Sequence, residues 1–237
     1  MRLSVSIKAL TLAALAGIAA GHCVIIAATG NLGGQGTALG CKYSWRYSSR
    51  AGLTHFADDS TVPRNATTRE AKMDATRFIK QKTDQCGMTL QTGNSGINVT
   101  SATSLVIQQS GGLPKVSESG FLNMTLHQIN EDGAGPFDCK LDTTGTGLNF
   151  TSTLLLSLTQ VPGVGGRNKK KTIDWPFAVG LPSDMKCTGS SGNLTGICMV
   201  KCWNPVGPWG GCVPIQQVDP VIELHQLPKS KQDCDSP

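Results

Sequence analysis

The stretch Leu122-Asn123-Met124-Thr125-Leu126-His127 decides the fold. Apolar and polar residues alternate with a period of two, the mark of a half-buried strand. The pattern predicts Leu122, Met124 and Leu126 in a core, with Asn123, Thr125 and His127 turned away from it. Working outward, Phe150–Val161 is rich in Thr and Leu and reads as strand, as do Ile173–Val179, Gly196–Cys202 and Val218–Leu224. Turn chemistry separates them: Asp132-Gly133-Ala134-Gly135-Pro136, Thr143-Thr144-Gly145-Thr146-Gly147 and Pro162-Gly163-Val164-Gly165-Gly166. Short strands at this spacing predict an all-β, immunoglobulin- or fibronectin-like antiparallel β-sandwich with long loops. Only Arg69–Gln85 has a helical composition.

Composition agrees. The chain has 237 residues, of which 16% are charged, below the ~25% usual for soluble domains. That excludes a coiled coil and a highly charged disordered chain. The formal charge of +5 is modest and points to neither nucleic acid nor a membrane surface.

Residues 1–21 read as a signal peptide. Arg2 and Lys8 precede the apolar run Ala9–Ala20, and Ala19-Ala20-Gly21 supplies small residues for cleavage after Gly21. Cleavage removes two of the positive charges. No later apolar run approaches the ~18 residues of a membrane span. The expected organisation is a β-sandwich over 22–224 and a polar tail over 225–237, in a secreted protein acting outside the cell or at its surface.

Nine cysteines fit an oxidising compartment. Cys23, Cys41, Cys86, Cys139, Cys187, Cys198, Cys202 and Cys212 are candidates for disulfide staples. Cys234 stands in the tail, available for an intermolecular link in an otherwise monomeric protein. Cys198-x-x-x-Cys202 lacks the paired short knuckles of a zinc site. Sequons at Asn65, Asn98, Asn123, Asn149 and Asn193 are candidate glycosylation sites.

The glycine run Gly30–Gly40 has neither Gly-Lys-Ser/Thr nor the third glycine of a dinucleotide fingerprint, so it reads as backbone turns. Cleavage after Gly21 would make His22 the first residue. An N-terminal histidine offers its α-amine and ring Nδ1 to one metal. A third nitrogen from another histidine makes a planar T-shaped set suited to Cu(II). Among the remaining histidines, His127 is the candidate second ligand, because alternation turns it away from the core. His55 and His225 read as solvent-exposed bystanders.

Two resemblances join this reading. The segments His22–Gly30, Gly33–Gly36 and Asp74–Phe78 resemble the Egh/Gas/Mas family of secreted fungal virulence factors associated with appressoria. The same holds for Met124–Asn130 with Asp132–Phe137, Thr143–Gly147, Cys198–Pro205 and Gly207–Pro214. This resemblance implies a secreted protein of host invasion. A more distant one, to lytic polysaccharide monooxygenases, rests on landmarks: the mature N-terminal histidine, a second histidine (His127) before Gly135-Pro136, and an aromatic three residues before a cysteine (Trp209 before Cys212). It implies a copper histidine brace of His22 and His127 with Trp209 at the axial position. The chain departs from those enzymes in having Trp209 for Phe or Tyr, Gly207 for a glutamine, Cys23 for a glycine and Cys41 for an aliphatic residue. The two added cysteines suggest a Cys23–Cys41 bridge.

Tyr43 and Trp45 are candidate substrate contacts, since aromatic faces stack on sugar rings. Arg167-Asn168-Lys169-Lys170-Lys171 reads most simply as a solvated loop, with affinity for acidic glycans as the sharper reading. The functional expectation is a secreted host-penetration protein that binds copper and acts oxidatively on cell-wall polysaccharide. The alternatives are a non-enzymatic effector or adhesin binding wall glycan or a host surface, and a copper-binding transport or sensing protein.

Overall fold

A computed structural model describes residues 23–40, 75–78, 86–89, 92, 95–204 and 207–219. Within them the chain forms two packed β-sheets and one α-helix of three turns. The strands are β1 (Cys23–Gly30), β2 (Gly33–Gly36), β3 (Thr76–Arg77), β4 (Lys115–Val116), β5 (Phe121–Gln128), β6 (Asp138–Asp142), β7 (Leu156–Thr159), β8 (Ile173–Gly180), β9 (Gly189–Ser191), β10 (Leu194–Trp203) and β11 (Trp209–Gln217). The first sheet runs β2-β1-β5-β8-β7 and is antiparallel throughout; the second runs β3-β11-β10-β6, with β9 on β10 and β4 parallel to β11.

The β-sandwich is therefore present, and the alternation that predicted it is visible in β5. Leu122, Met124 and Leu126 are buried between the sheets with Ile25, Phe177, Val200, Val213 and Ile215. Asn123 is exposed and Thr125 half-buried. His127 departs from the expectation. It lies on the face opposite Leu126 but is fully buried, because strand alternation fixes a side, not what covers that side.

Three disulfides staple the fold: Cys86–Cys212, Cys139–Cys202 and Cys187–Cys198. Cys139 and Cys202 are also cross-strand neighbours of β6 and β10. Cys86–Cys212 lies in a second apolar cluster with Leu39, Val106, Leu113, Ile197 and Met199. The expected Cys23–Cys41 bridge is corrected. Cys23 is a free thiol, buried in the main core on β1; Cys41 lies outside the described residues, as does Cys234.

Two further sequence readings change. The helical composition at Arg69–Gln85 contains strand β3 at Thr76–Arg77, paired to Trp209 and Gly210. The helix stands instead at Val99–Ser110 (α1), with Asn98 Oδ1 accepting from Ser101 N at 3.0 Å and Gly111 closing it in the left-handed conformation. The last strand among the described residues is Trp209–Gln217; β11 has ended where the Val218–Leu224 candidate begins, and residues 220–224 of that candidate lie outside the described residues. The run Cys23–Gly30 before the glycine turns is a full central strand. The turn reading of the glycines holds in physical detail. A Cβ on Gly30 would sit 1.8 Å from Lys115 O, and one on Gly34, at φ +67°, would sit 2.2 Å from Leu113 O. The hairpin packs backbone on backbone, which only glycine permits.

Candidate functional site

The site grows from the end of β5. His127 pairs across the sheet with Val24 on β1 and with Asp174 on β8. Its Nδ1 lies 2.6 Å from Asp174 Oδ1. The imidazole is fully buried, while the Asp174 side chain keeps 24% of its exposure. His127 Nε2 is buried and has no hydrogen-bond partner among the described residues. Leaving a buried polar nitrogen unpaired costs about 1–3 kcal/mol. The Asp174 carboxylate set against Nδ1 fixes the plane of the ring and so the direction in which Nε2 points. Asp174 was not among the residues singled out from sequence; only the β5–β8 register brings it to His127.

The next residue, Gln128, points to the other face and is also fully buried. Its amide is fully used. Nε2 donates to the carbonyls of Asn130 (3.0 Å), Asn168 (3.1 Å) and Lys170, and Oε1 accepts from Trp175 Nε1 at 2.9 Å. One side chain thus ties the β5 exit, the 168–170 loop and β8 together. Lys170 Nζ lies 5.2 Å from the Trp175 ring centroid, and Lys171 pairs with Glu131 at 3.1 Å.

Asn204 organises the neighbouring loops. Its Nδ2 donates to the carbonyls of Ala134, Gly166 (3.1 Å) and Asp132 (3.3 Å), and its Oδ1 accepts from Gly207 N at 3.1 Å. Gly166, at φ +76°, approaches so closely that a Cβ would sit 2.4 Å from the Asn204 amide. The Gly-Pro turn after His127 and the Asn204-containing segment before Trp209 are thus fixed to each other through one amide.

Trp209 opens β11 in the second sheet, is buried in the main core, and carries the Arg77 guanidinium 5.6 Å from its ring centroid. It stands on a different sheet from His127. Cys23 begins β1; burial, first, and the nearby Asp132 charge push its thiol far above its ordinary range, so it is an unreactive core group. His22, Tyr43, Trp45, His55, Asn65 and His225 lie outside the described residues. Among the described residues, no three His, Cys, Asp or Glu side chains gather into a metal-binding group. His127 nevertheless fits one position of a copper set: an imidazole nitrogen, aimed by a carboxylate and without a hydrogen-bond partner among the described residues.

The Thr-Thr-Gly-Thr-Gly motif has a structural role. Asp142 is fully buried, and its carboxylate accepts from Thr144 N (2.8 Å), Thr144 Oγ1 (2.6 Å), Thr146 Oγ1 (3.3 Å), Gly147 N (2.7 Å), Leu148 N (3.1 Å) and Asn149 N (3.3 Å). Burial alone would raise its pKa, but the Thr144 hydroxyl and the backbone N–H groups outweigh that and hold it below the ordinary carboxyl value. Of the sequon residues, Asn98, Asn123, Asn149 and Asn193 are exposed. No helix among the described residues is long and apolar enough to cross a membrane.

The model of the Egh16-like virulence factor family matches residues 20–210. The appressoria-specific virulence factor GAS1 of Pyricularia oryzae is 35% identical over 218 residues, spanning 89% of this chain and 78% of that protein. The appressoria-specific virulence factor GAS2 of the same fungus is 33% identical over 136 residues, spanning 55% of this chain and 46% of that protein.

Proposed function

This chain belongs to the Egh16-like virulence factor family, and from that premise we propose that it is a secreted fungal protein of host penetration whose working part is a copper site built on His127. The observation that carries the reading is the state of that side chain: fully buried, Nδ1 held by Asp174 at 2.6 Å, and Nε2 without a partner among the described residues. An imidazole nitrogen kept bare in the interior at a cost in stability is the state a metal ligand requires.

His22 supplies the other donors in this reading. Val24, two residues later, is the cross-strand partner of His127. The carboxylate of Asp174 holds the His127 proton on Nδ1 and fixes the ring plane. Gln128 and Asn204 hold the surrounding loops, so the face stays rigid. Bound copper supplies one-electron chemistry, in this reading the oxidation of cell-wall polysaccharide when a reductant is present.

Copper titration tests the proposal. Protein processed to begin at His22 is expected to bind one Cu(II), and both His127→Ala and a form retaining Gly21 are expected to bind roughly a hundredfold more weakly. Equal affinity in all three would exclude the site. Oxidised oligosaccharides released with reductant, and not without it, separate an oxidative enzyme from a copper carrier or an adhesin.

A further inference from the structure

We propose that the loop from Arg167 to Lys171 is a pre-set binding surface for an acidic, uronate-type glycan. The proposal names the substrate class of the site described above and rests on that reading for its functional meaning, though its geometry stands independently.

Arg167, Lys169, Lys170 and Lys171 are four exposed cations within five residues. Among the described residues only Lys171 has a carboxylate partner, Glu131, and that pair is itself half-exposed. A charge run of this kind is ordinarily a mobile, solvated face. Here the backbone beneath it is tied down at almost every residue. Val164 and Arg167 exchange backbone hydrogen bonds at 3.0 and 3.1 Å, and Gly166 N donates to Gly135 O at 3.1 Å. Asn168 N donates to Glu131 O at 2.8 Å. Lys170 N donates to Asn168 Oδ1 at 3.0 Å, and the buried Gln128 amide takes the carbonyls of both Asn168 and Lys170. The carbonyls are engaged inward and the cationic side chains are left outward.

A surface ordered before binding loses less conformational entropy when a ligand arrives. Among the described residues the negative groups nearby are Glu131, engaged with Lys171, Asp132, whose carbonyl shares the Asn204 amide with that of Gly166, and Asp174, engaged with His127; Arg167, Lys169 and Lys170 have no carboxylate partner among them. Lys170 sits over the Trp175 ring, which Gln128 anchors through Nε1. The loop feeds directly into β8, which delivers Asp174 to His127, so a chain bound on it would lie beside the His127 end of the sheet. A neutral glycan gains nothing from these charges; one carrying a carboxylate on each sugar does.

The test is binding of full-length processed protein, with chelator present, to de-esterified polygalacturonate, to the same polymer fully methyl-esterified, and to single-stranded DNA. The acidic polymer is expected to bind, with affinity falling as salt screens the charges. The esterified polymer and the DNA are expected to bind at least about tenfold more weakly. The variant Arg167→Gln/Lys169→Gln/Lys170→Gln is expected to lose about tenfold on polygalacturonate, the sum of three exposed charge contacts, with an unchanged melting temperature. Equal binding of the esterified polymer, of DNA, or by the triple variant would overturn the proposal. His127→Ala keeps the two readings apart. Protein that binds copper but not polygalacturonate defeats this inference alone. Protein that binds polygalacturonate but no copper defeats the copper site and leaves this surface standing.

Discussion

Asp174 stands directly opposite His127 in the β5–β8 register, and its Oδ1 lies 2.6 Å from the imidazole Nδ1. The pair converts a residue that looked like a surface histidine into a buried, oriented nitrogen donor. Carboxylates behind a ligating histidine are worth about 10–100-fold in metal affinity. Asp174→Ala is therefore expected to weaken Cu(II) binding by about that factor. Asp174→Asn, which can still accept the Nδ1 proton through its amide oxygen, is expected to lose less. Isothermal titration on protein processed to His22 checks the order. Equal loss in both variants would show that charge, not orientation, is what Asp174 contributes.

Asp142 makes a pH prediction. Its native pKa is lowered from the ordinary carboxyl value by the Thr144 hydroxyl and backbone donors acting against burial. A depressed native pKa means the unfolded state takes up the proton first as pH falls. The stabilisation is complete above the ordinary carboxyl pKa of ~3.9 and is lost progressively as pH drops through the native value. Asp142→Asn places an amide among donors and is expected to cost about 3 kcal/mol at neutral pH. Urea unfolding at neutral pH and below pH 4 measures both effects, and the gap between wild type and variant should narrow in acid.

Gln128→Leu tests whether one amide holds the basic loop. The substitution keeps the volume roughly constant and strips hydrogen bonds from the carbonyls of Asn130, Asn168 and Lys170 and from Trp175 Nε1. The expected cost is about 2–4 kcal/mol. Hydrogen exchange should accelerate at Asn168 and Lys170, while β10 and β11 remain protected. Uniform acceleration across both sheets would instead mean that Gln128 supports the whole fold.

The β5 alternation was legible because Leu122, Met124 and Leu126 face a core that Asn123 and Thr125 do not. β1 was not, because Cys23, Val24, Ile25 and Ile26 are all buried and a strand covered on both faces loses its period. Helix α1 was hidden by its own composition: Val99, Thr100, Thr103 and Val106 are poor helix formers, although Asn98 before it and Gly111 after it are proper start and stop signals. β11 was masked by Gly210, Gly211 and Pro214. A Cβ at Gly210 would meet Cys202 O at 1.9 Å, so the glycine marks close strand contact, not a turn. For the site, spacing and residue type singled out His127 and Trp209. Asp174, Gln128 and Asn204 act through register and loop contact across 40 to 70 residues of chain, which no local pattern encodes.

Asn98 carries two roles that can be pulled apart. Its Oδ1 caps α1 by accepting from Ser101 N at 3.0 Å, and the same residue opens the sequon Asn98-Val99-Thr100 on an exposed surface. Glycosylation uses Nδ2 and leaves Oδ1 in place, so a glycan and the cap are chemically compatible. Asn98→Asp abolishes the sequon and retains a capping oxygen, with added charge favoured at a helix N-terminus. Asn98→Ala abolishes both, and Thr100→Ala removes the sequon alone. In protein made without glycosylation, Asn98→Ala is expected to lose about 1 kcal/mol, while Asn98→Asp and Thr100→Ala stay close to wild type. In protein secreted from a fungal host, all three should lose the mass of one glycan if the site is used. Melting temperatures from the two hosts then assign the stability to the cap or to the sugar: a deficit confined to Asn98→Ala in both hosts belongs to the hydrogen bond, and one shared by all three only in the fungal product belongs to the glycan.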